Sequence, residues 1–125
     1  MELQATPTRW FDTLRGLGPH RGEERIPFYA QVYVLPLDGR RPGFWARSAD
    51  IAERGVFVST QEDLPIEAFA ILKLRTSAGE LRLTGRVVHR IDRVGYGIEF
   101  VDLDASQREA ISFVVALGRF HAAAD

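Results

Sequence analysis

Arg21 and Arg25 stand four positions apart in the segment Arg21-Gly22-Glu23-Glu24-Arg25. Two guanidinium groups at that spacing suit an anionic ligand, because each offers a planar fork of N–H donors to two phosphate oxygens or to O6 and N7 of a guanine. A second short piece, Asp50-Ile51-Ala52-Glu53-Arg54-Gly55, adds complementary groups. Asp50 supplies a carboxylate that accepts from guanine N1 and N2, and Gly55 supplies backbone uncrowded by a side chain. Ala52 occupies the position where a hydroxyl would be most useful, and one missing neutral hydrogen bond is worth about 0.5–1.5 kcal/mol. Glu23 and Glu24 lie between the two arginines, where they pair with them or repel a phosphate unless they face away.

Each of these residues also has an ordinary reading. The arginine pair reads equally as a solvated loop balanced by Glu23 and Glu24, since exposed ion pairs are common and weak. Asp50 to Gly55 reads as a strand-to-strand turn, with Asp50 bonding locally and Gly55 taking positive φ. Trp10, Phe28, Phe44 and Trp45 read as core or helix-docking residues, with a partner surface beside Arg40-Arg41 as the alternative. His89 reads as a packed or edge histidine. No second ligand stands at metal-binding spacing from His20 or His121, so no metal is assigned. The chain contains no nucleophile elbow, zinc-protease helix motif or phosphate-cradling glycine loop, and an enzyme is not expected.

The elements that must position the two pieces follow from periodicity and turn chemistry. Thr6 to Leu17 predicts a short N-terminal helix, capped by Thr6, with Pro7 at the first helical position and Trp10, Leu14 and Leu17 on one side. Gly16, Gly18 and Pro19 end it, and a polar linker carries the first arginine. Strands are predicted over 28–35, 43–51, 55–59, 68–75, 80–91 and 95–101, the first two joined by Pro36-Leu37-Asp38-Gly39. In the fifth, Leu81, Leu83, Gly85, Val87 and His89 share one face. Six antiparallel strands with short loops predict a small closed barrel, because closure removes exposed edges. Ala105 to Ala124 predicts an amphipathic helix, started by Asp104 and apolar along Ile111, Val114, Val115 and Leu117.

With 125 residues, 46% of them hydrophobic, the chain suits one domain, and its formal net charge of −1 excludes the broad positive field that non-specific DNA or RNA binding needs. Any anion must be held locally. The absence of cysteine removes disulfide and thiolate chemistry and fits a reducing compartment. No secretory signal pattern or membrane-length apolar run is present, so a cytoplasmic location is expected. Lys73 is the single lysine; the dominance of arginine reflects either phosphate recognition or a GC-rich coding sequence.

In that order, the two pieces, the strand Gly95-Tyr96-Gly97-Ile98-Glu99-Phe100-Val101-Asp102-Leu103 and the helix bearing Gln107-Arg108-Glu109-Ala110-Ile111 resemble the PilZ domain family. The resemblance runs from Arg21 to Val115, and Ala52 departs from the serine of the family's second motif. It implies a six-stranded antiparallel β-barrel with a C-terminal α-helix over residues 21–125, preceded by an extension at 1–20. It further implies a bacterial signalling role, with cyclic di-GMP as ligand of Arg21, Arg25, Asp50, Ala52 and Gly55 and an unidentified protein as partner. The alternative is a degenerate adaptor of the same fold, without nucleotide, that acts through protein–protein contact, as in control of motility.

Overall fold

The computed structural model describes residues 24–77 and 79–124, with side chains described as far as His121. The expected N-terminal helix and Arg21 lie outside the described residues. The strands are β1 (Ile26–Pro27), β2 (Gln31–Pro36), β3 (Phe44–Ala52), β4 (Gly55–Ser59), β5 (Phe69–Thr76), β6 (Gly79–Ile91) and β7 (Gly95–Val101), followed by α1 (Ala105–Ala124). All pairings are antiparallel, in the order β1-β3-β2-β5-β6-β7-β4, and β3 also pairs with β4. That last pairing closes β2 to β7 into a six-stranded barrel, as expected, and leaves the two-residue β1 as an extra piece on β3.

The second strand begins at Gln31 rather than Phe28, for a reason visible in Ser48. Its buried hydroxyl accepts from the Ala30 amide at 2.9 Å and donates to the Phe28 carbonyl at 2.5 Å. These bonds satisfy the backbone of residues 28–30 while the chain bends between β1 and β2.

Alternation fills the barrel with Val32, Val34, Ile51, Val56, Val58, Leu72, Leu74, Leu83, Val87, Tyr96 and Ile98. Their neighbours along each strand point outward. Two bulges reset this phase. The register of β3 against β4 shifts between Ser48 and Asp50, and that of β6 against β7 shifts between Val87 and His89. The second shift corrects an expectation: His89 does not share the face of Leu83 and Val87 but stands opposite Gly97, on the outer wall.

Helix α1 starts as expected. The Gln107 amide donates to Asp104 Oδ1 at 2.7 Å and the Gln107 side chain accepts from the Asp104 amide at 2.8 Å, a reciprocal cap. Ile111, Val114 and Val115 are buried, and the helix packs against β1, β3 and β6. Among the described residues no helix is long and apolar enough to cross a membrane.

Candidate functional site

Asp50 is not a turn residue. It lies inside β3, wholly buried, with Phe57 of β4 on one side and Pro27 of β1 on the other. The bulge at residue 49 places it, because Ile51 points into the barrel and Asp50 therefore points out. β1 brings Arg25 to this carboxylate: Nη1 lies 3.4 Å from Asp50 Oδ1. Oδ2 is buried without a hydrogen-bond partner. Burial pushes the Asp50 carboxyl up to about 7, against the opposing pull of the Arg25 charge and hydrogen bond and of the Phe57 amide. One oxygen left without a partner is an open acceptor for a donor brought by a ligand.

Ala52 and Gly55 face each other at the end of the β3–β4 hairpin, whose tip is Glu53-Arg54. The tip is tied to β7 by a 2.8 Å bond from the Phe100 amide to the Arg54 carbonyl. Gly55 is needed for close approach and not for positive φ: a Cβ there would sit 2.7 Å from the Ile98 carbonyl oxygen. Ala52 is fully buried, as is Asp50, so direct contact of either with a ligand requires local rearrangement.

The ladders continue this geometry into two transverse rows on the outer wall. One runs Asp50, Phe57, Gly97, His89, and the next runs Ala52, Gly55, Glu99, Arg86. Arg86 donates to Glu99 at 2.6 Å and to Glu67 at 3.0 Å, and these carboxylates, Glu99 foremost, raise the pKa of its guanidinium. Gly55 and Gly97 carry no side chain, and both are buried, as is Phe57. Phe57, Gly97 and Arg86 read from the sequence as strand residues and not as site residues. The signal that finds them is register, and the bulges that set it leave no mark in composition.

Glu24 turns away from Arg25. It accepts from Arg119 of α1 at 2.6 and 3.0 Å, and that hydrogen bond lowers the Glu24 pKa. Ser112 of the same helix donates to Glu53 at 2.8 Å. The helix is thus hydrogen-bonded to a neighbour of each motif. Arg21 and Glu23 lie outside the described residues. Among those described, no group of three or more His, Asp or Glu is placed to hold a metal.

Trp45 corrects a second expectation. It is 56% exposed, on the outward face of β3, and is not part of the core. Phe28 and Phe44 do pack against the core.

Fold and site together define a class: a small closed antiparallel barrel with a helix laid on it and an arginine–aspartate pair on its outer wall. The chain belongs to the PilZ domain family, whose model matches residues 19–116. Among solved structures it is similar to the PilZ domain of CeSA from a cellulose-synthesizing bacterium, at 22% identity and a TM-score of 0.59, over 74% of this chain and 94% of that one. It is also similar to the PilZ domain of YcgR from Escherichia coli, solved with c-di-GMP, at 11% identity and a TM-score of 0.64, over 82% and 93% of the two chains. A third similarity is to the Bacillus subtilis inhibitor of motility, MotI/DgrA, at 14% identity and a TM-score of 0.62, over 77% of this chain and 50% of that one. No curated protein sequence matches.

Proposed function

We propose that this protein is a cytoplasmic signalling module that binds cyclic di-GMP through Arg21, Arg25 and Asp50 and passes occupancy to a protein partner. The observation that carries the reading is the Arg25–Asp50 pair, whose carboxylate keeps one oxygen without a partner. An arginine fork for a phosphate or guanine lies next to a carboxylate with one unpartnered oxygen, as a ligand bearing both phosphates and guanines requires. Family membership supports the ligand class, as does the YcgR domain solved with c-di-GMP. The relation to an inhibitor of motility supports a place in motility control. The module acts by binding, without bond-making chemistry of its own.

Calorimetric titration of the full chain with cyclic di-GMP tests the reading. Saturable heat with wild type, lost in Arg21→Ala and in Arg25→Ala, is expected. No binding by wild type at about 100 μM ligand, roughly 5.5 kcal/mol on the affinity scale, would discard it.

One observation favours the rival, an adaptor without nucleotide. Ala52 supplies no hydrogen bond, and both it and Asp50 are fully buried. Under that reading Arg25 and Asp50 are a structural pair that pins β1 to β3, and the partner contact alone survives.

A further inference from the structure

Tyr33 of β2 stands opposite Trp45 of β3 on one side and Lys73 of β5 on the other, and Lys73 stands opposite Arg82 of β6. This outward row crosses four strands on the wall of the barrel away from β4 and β7. The rings of Tyr33 and Trp45 meet edge to face, with centroids 5.1 Å apart. Lys73 Nζ lies 5.9 Å from the Tyr33 ring centre, and the Arg75 guanidinium lies 5.5 Å from that of Trp45. Arg47, two residues along β3 from Trp45, is exposed and borders a cleft of about 420 Å³ with Gln31, Trp45, Ala46, Ser59 and Thr60.

Positive charge is in excess on this wall. Among the described residues Arg25, Arg41, Arg86, Arg90 and Arg119 each pair with a carboxylate, whereas Arg47, Lys73, Arg75 and Arg82 have no such partner. Glu80 stands opposite Arg75 in the ladder without forming an ion pair. A chain of net charge −1 therefore gathers four unpaired cations around a half-exposed tryptophan. Gathering like charges on one wall costs self-repulsion, and a partner of opposite sign relieves it. Tryptophan, tyrosine and arginine are the side chains that concentrate binding energy at protein interfaces.

We propose that the outer wall of β2, β3 and β5 is a docking surface for an acidic protein segment that also carries apolar side chains. Carboxylates of the segment pair with Arg47, Lys73, Arg75 and Arg82, and its apolar residues cover the edges of Trp45 and Tyr33. Two features favour a protein over single-stranded nucleic acid. One face of each ring already carries a cation, where a stacking base would have to displace it, and the chain as a whole has no positive field to draw a polyanion. This surface would serve the partner half of the proposed function. Its centre, Tyr33 and Trp45, lies five residues along β3 from Asp50, so the surface and the nucleotide site are probed by separate substitutions.

The test is selection of a random peptide library on the full chain, with Trp45→Ala and Arg75→Glu variants as controls. Both positions are exposed, and circular dichroism checks that each variant is folded. The expected peptides combine several Asp or Glu with Phe, Leu or Trp, bind wild type at least roughly tenfold more tightly than either variant, and weaken as salt rises. They shift the amide resonances of Tyr33, Trp45, Arg47, Lys73 and Arg75 and leave those of Phe57 and Gly97 in place. Enriched peptides without acidic bias would overturn the proposal, as would equal binding to wild type and both variants. Oligothymidylate shifting the same amides at lower concentration than the peptides would replace it with a nucleic-acid surface.

Discussion

Arg25 reaches Asp50 from outside the barrel, with its guanidinium 3.4 Å from the Oδ1 of a carboxylate that has no exposed surface. Among the described residues this ion pair joins the first motif to the second. Its strength depends on protonation, because burial holds the Asp50 pKa at about 7 against an ordinary 3.8. Between these values the folded protein keeps a proton that the unfolded chain has released. Stability is then fully present at low pH, falls as pH rises through this window, and levels off above the folded-state value. The expected loss between pH 5 and 8 is on the order of 2 kcal/mol in wild type, and Asp50→Asn removes this share. Urea unfolding of both proteins at the two pH values measures it, and identical pH dependence would show that Asp50 does not titrate in this range.

Arg25→Ala follows from the same coupling. Removing one partner of a buried pair ordinarily costs about 3–5 kcal/mol. Here Asp50 takes up a proton instead, so with a folded-state pKa of about 7 the cost that depends on its charge is expected to be at most about 1.4 kcal/mol at pH 8 and to shrink toward zero at pH 5. A loss that is the same at both pH values would mean that Arg25 stabilises by packing alone.

Gly55 and Gly97 sit on the same outer wall, and their alanine variants are expected to behave differently. A Cβ at Gly55 would lie 2.7 Å from the Ile98 carbonyl oxygen, a backbone atom that cannot turn aside, whereas at Gly97 the nearest atom is His89 Cβ at 3.5 Å. Gly55→Ala should cost about 1–3 kcal/mol through overpacking, and Gly97→Ala should lie within about 0.5 kcal/mol of wild type. Thermal melts decide this, and equal effects would contradict the β4–β7 register.

Strand positions, barrel closure and the capped C-terminal helix were legible in the sequence because each leaves a local mark: alternation, turn residues, and Asp104 placed before Gln107. The faces of particular side chains were not. His89 reads as sharing the face of Val87, and the burial of Asp50 within its predicted strand goes unseen, because a bulge adds one residue and inverts the phase for the rest of the strand, with no distinctive residue to announce it. Trp45 read as core for a related reason. Its hydrophobicity says nothing about which wall it faces, and Tyr33, Lys73 and Arg82 become its neighbours only through strand pairing. Arg25 and Asp50 both stand out in the sequence for their chemistry, whereas their direct contact depends on β1, a two-residue strand below the length that periodicity can detect.

The helix is fitted to the first motif by Gly118. A Cβ there would lie 2.1 Å from Ile26 Cδ1, the free end of a side chain. Alanine should be accommodated by rotation of Ile26, while Gly118→Leu should lever α1 from β1 at a cost of about 1–3 kcal/mol. Hydrogen exchange is expected to quicken in the second half of α1 and at Ile26 and to stay unchanged in β5 and β6. Uniform quickening through the barrel would show that helix and barrel open as one unit.

Ala52→Ser distinguishes the two functional readings most directly. The position is fully buried, so a hydroxyl placed there without a partner should lower the stability of the ligand-free protein by about 1–3 kcal/mol. If the second motif contacts cyclic di-GMP, the nucleotide supplies that partner, and affinity should rise by up to roughly tenfold. The melting temperature of the variant should then climb more steeply with nucleotide than that of wild type. A variant that is destabilised but gains nothing from nucleotide would mean that residue 52 belongs to the packing of the hairpin end and that the ligand reading loses its second motif. Melts of both proteins across a nucleotide series therefore report packing and recognition separately, from one substitution on one strand.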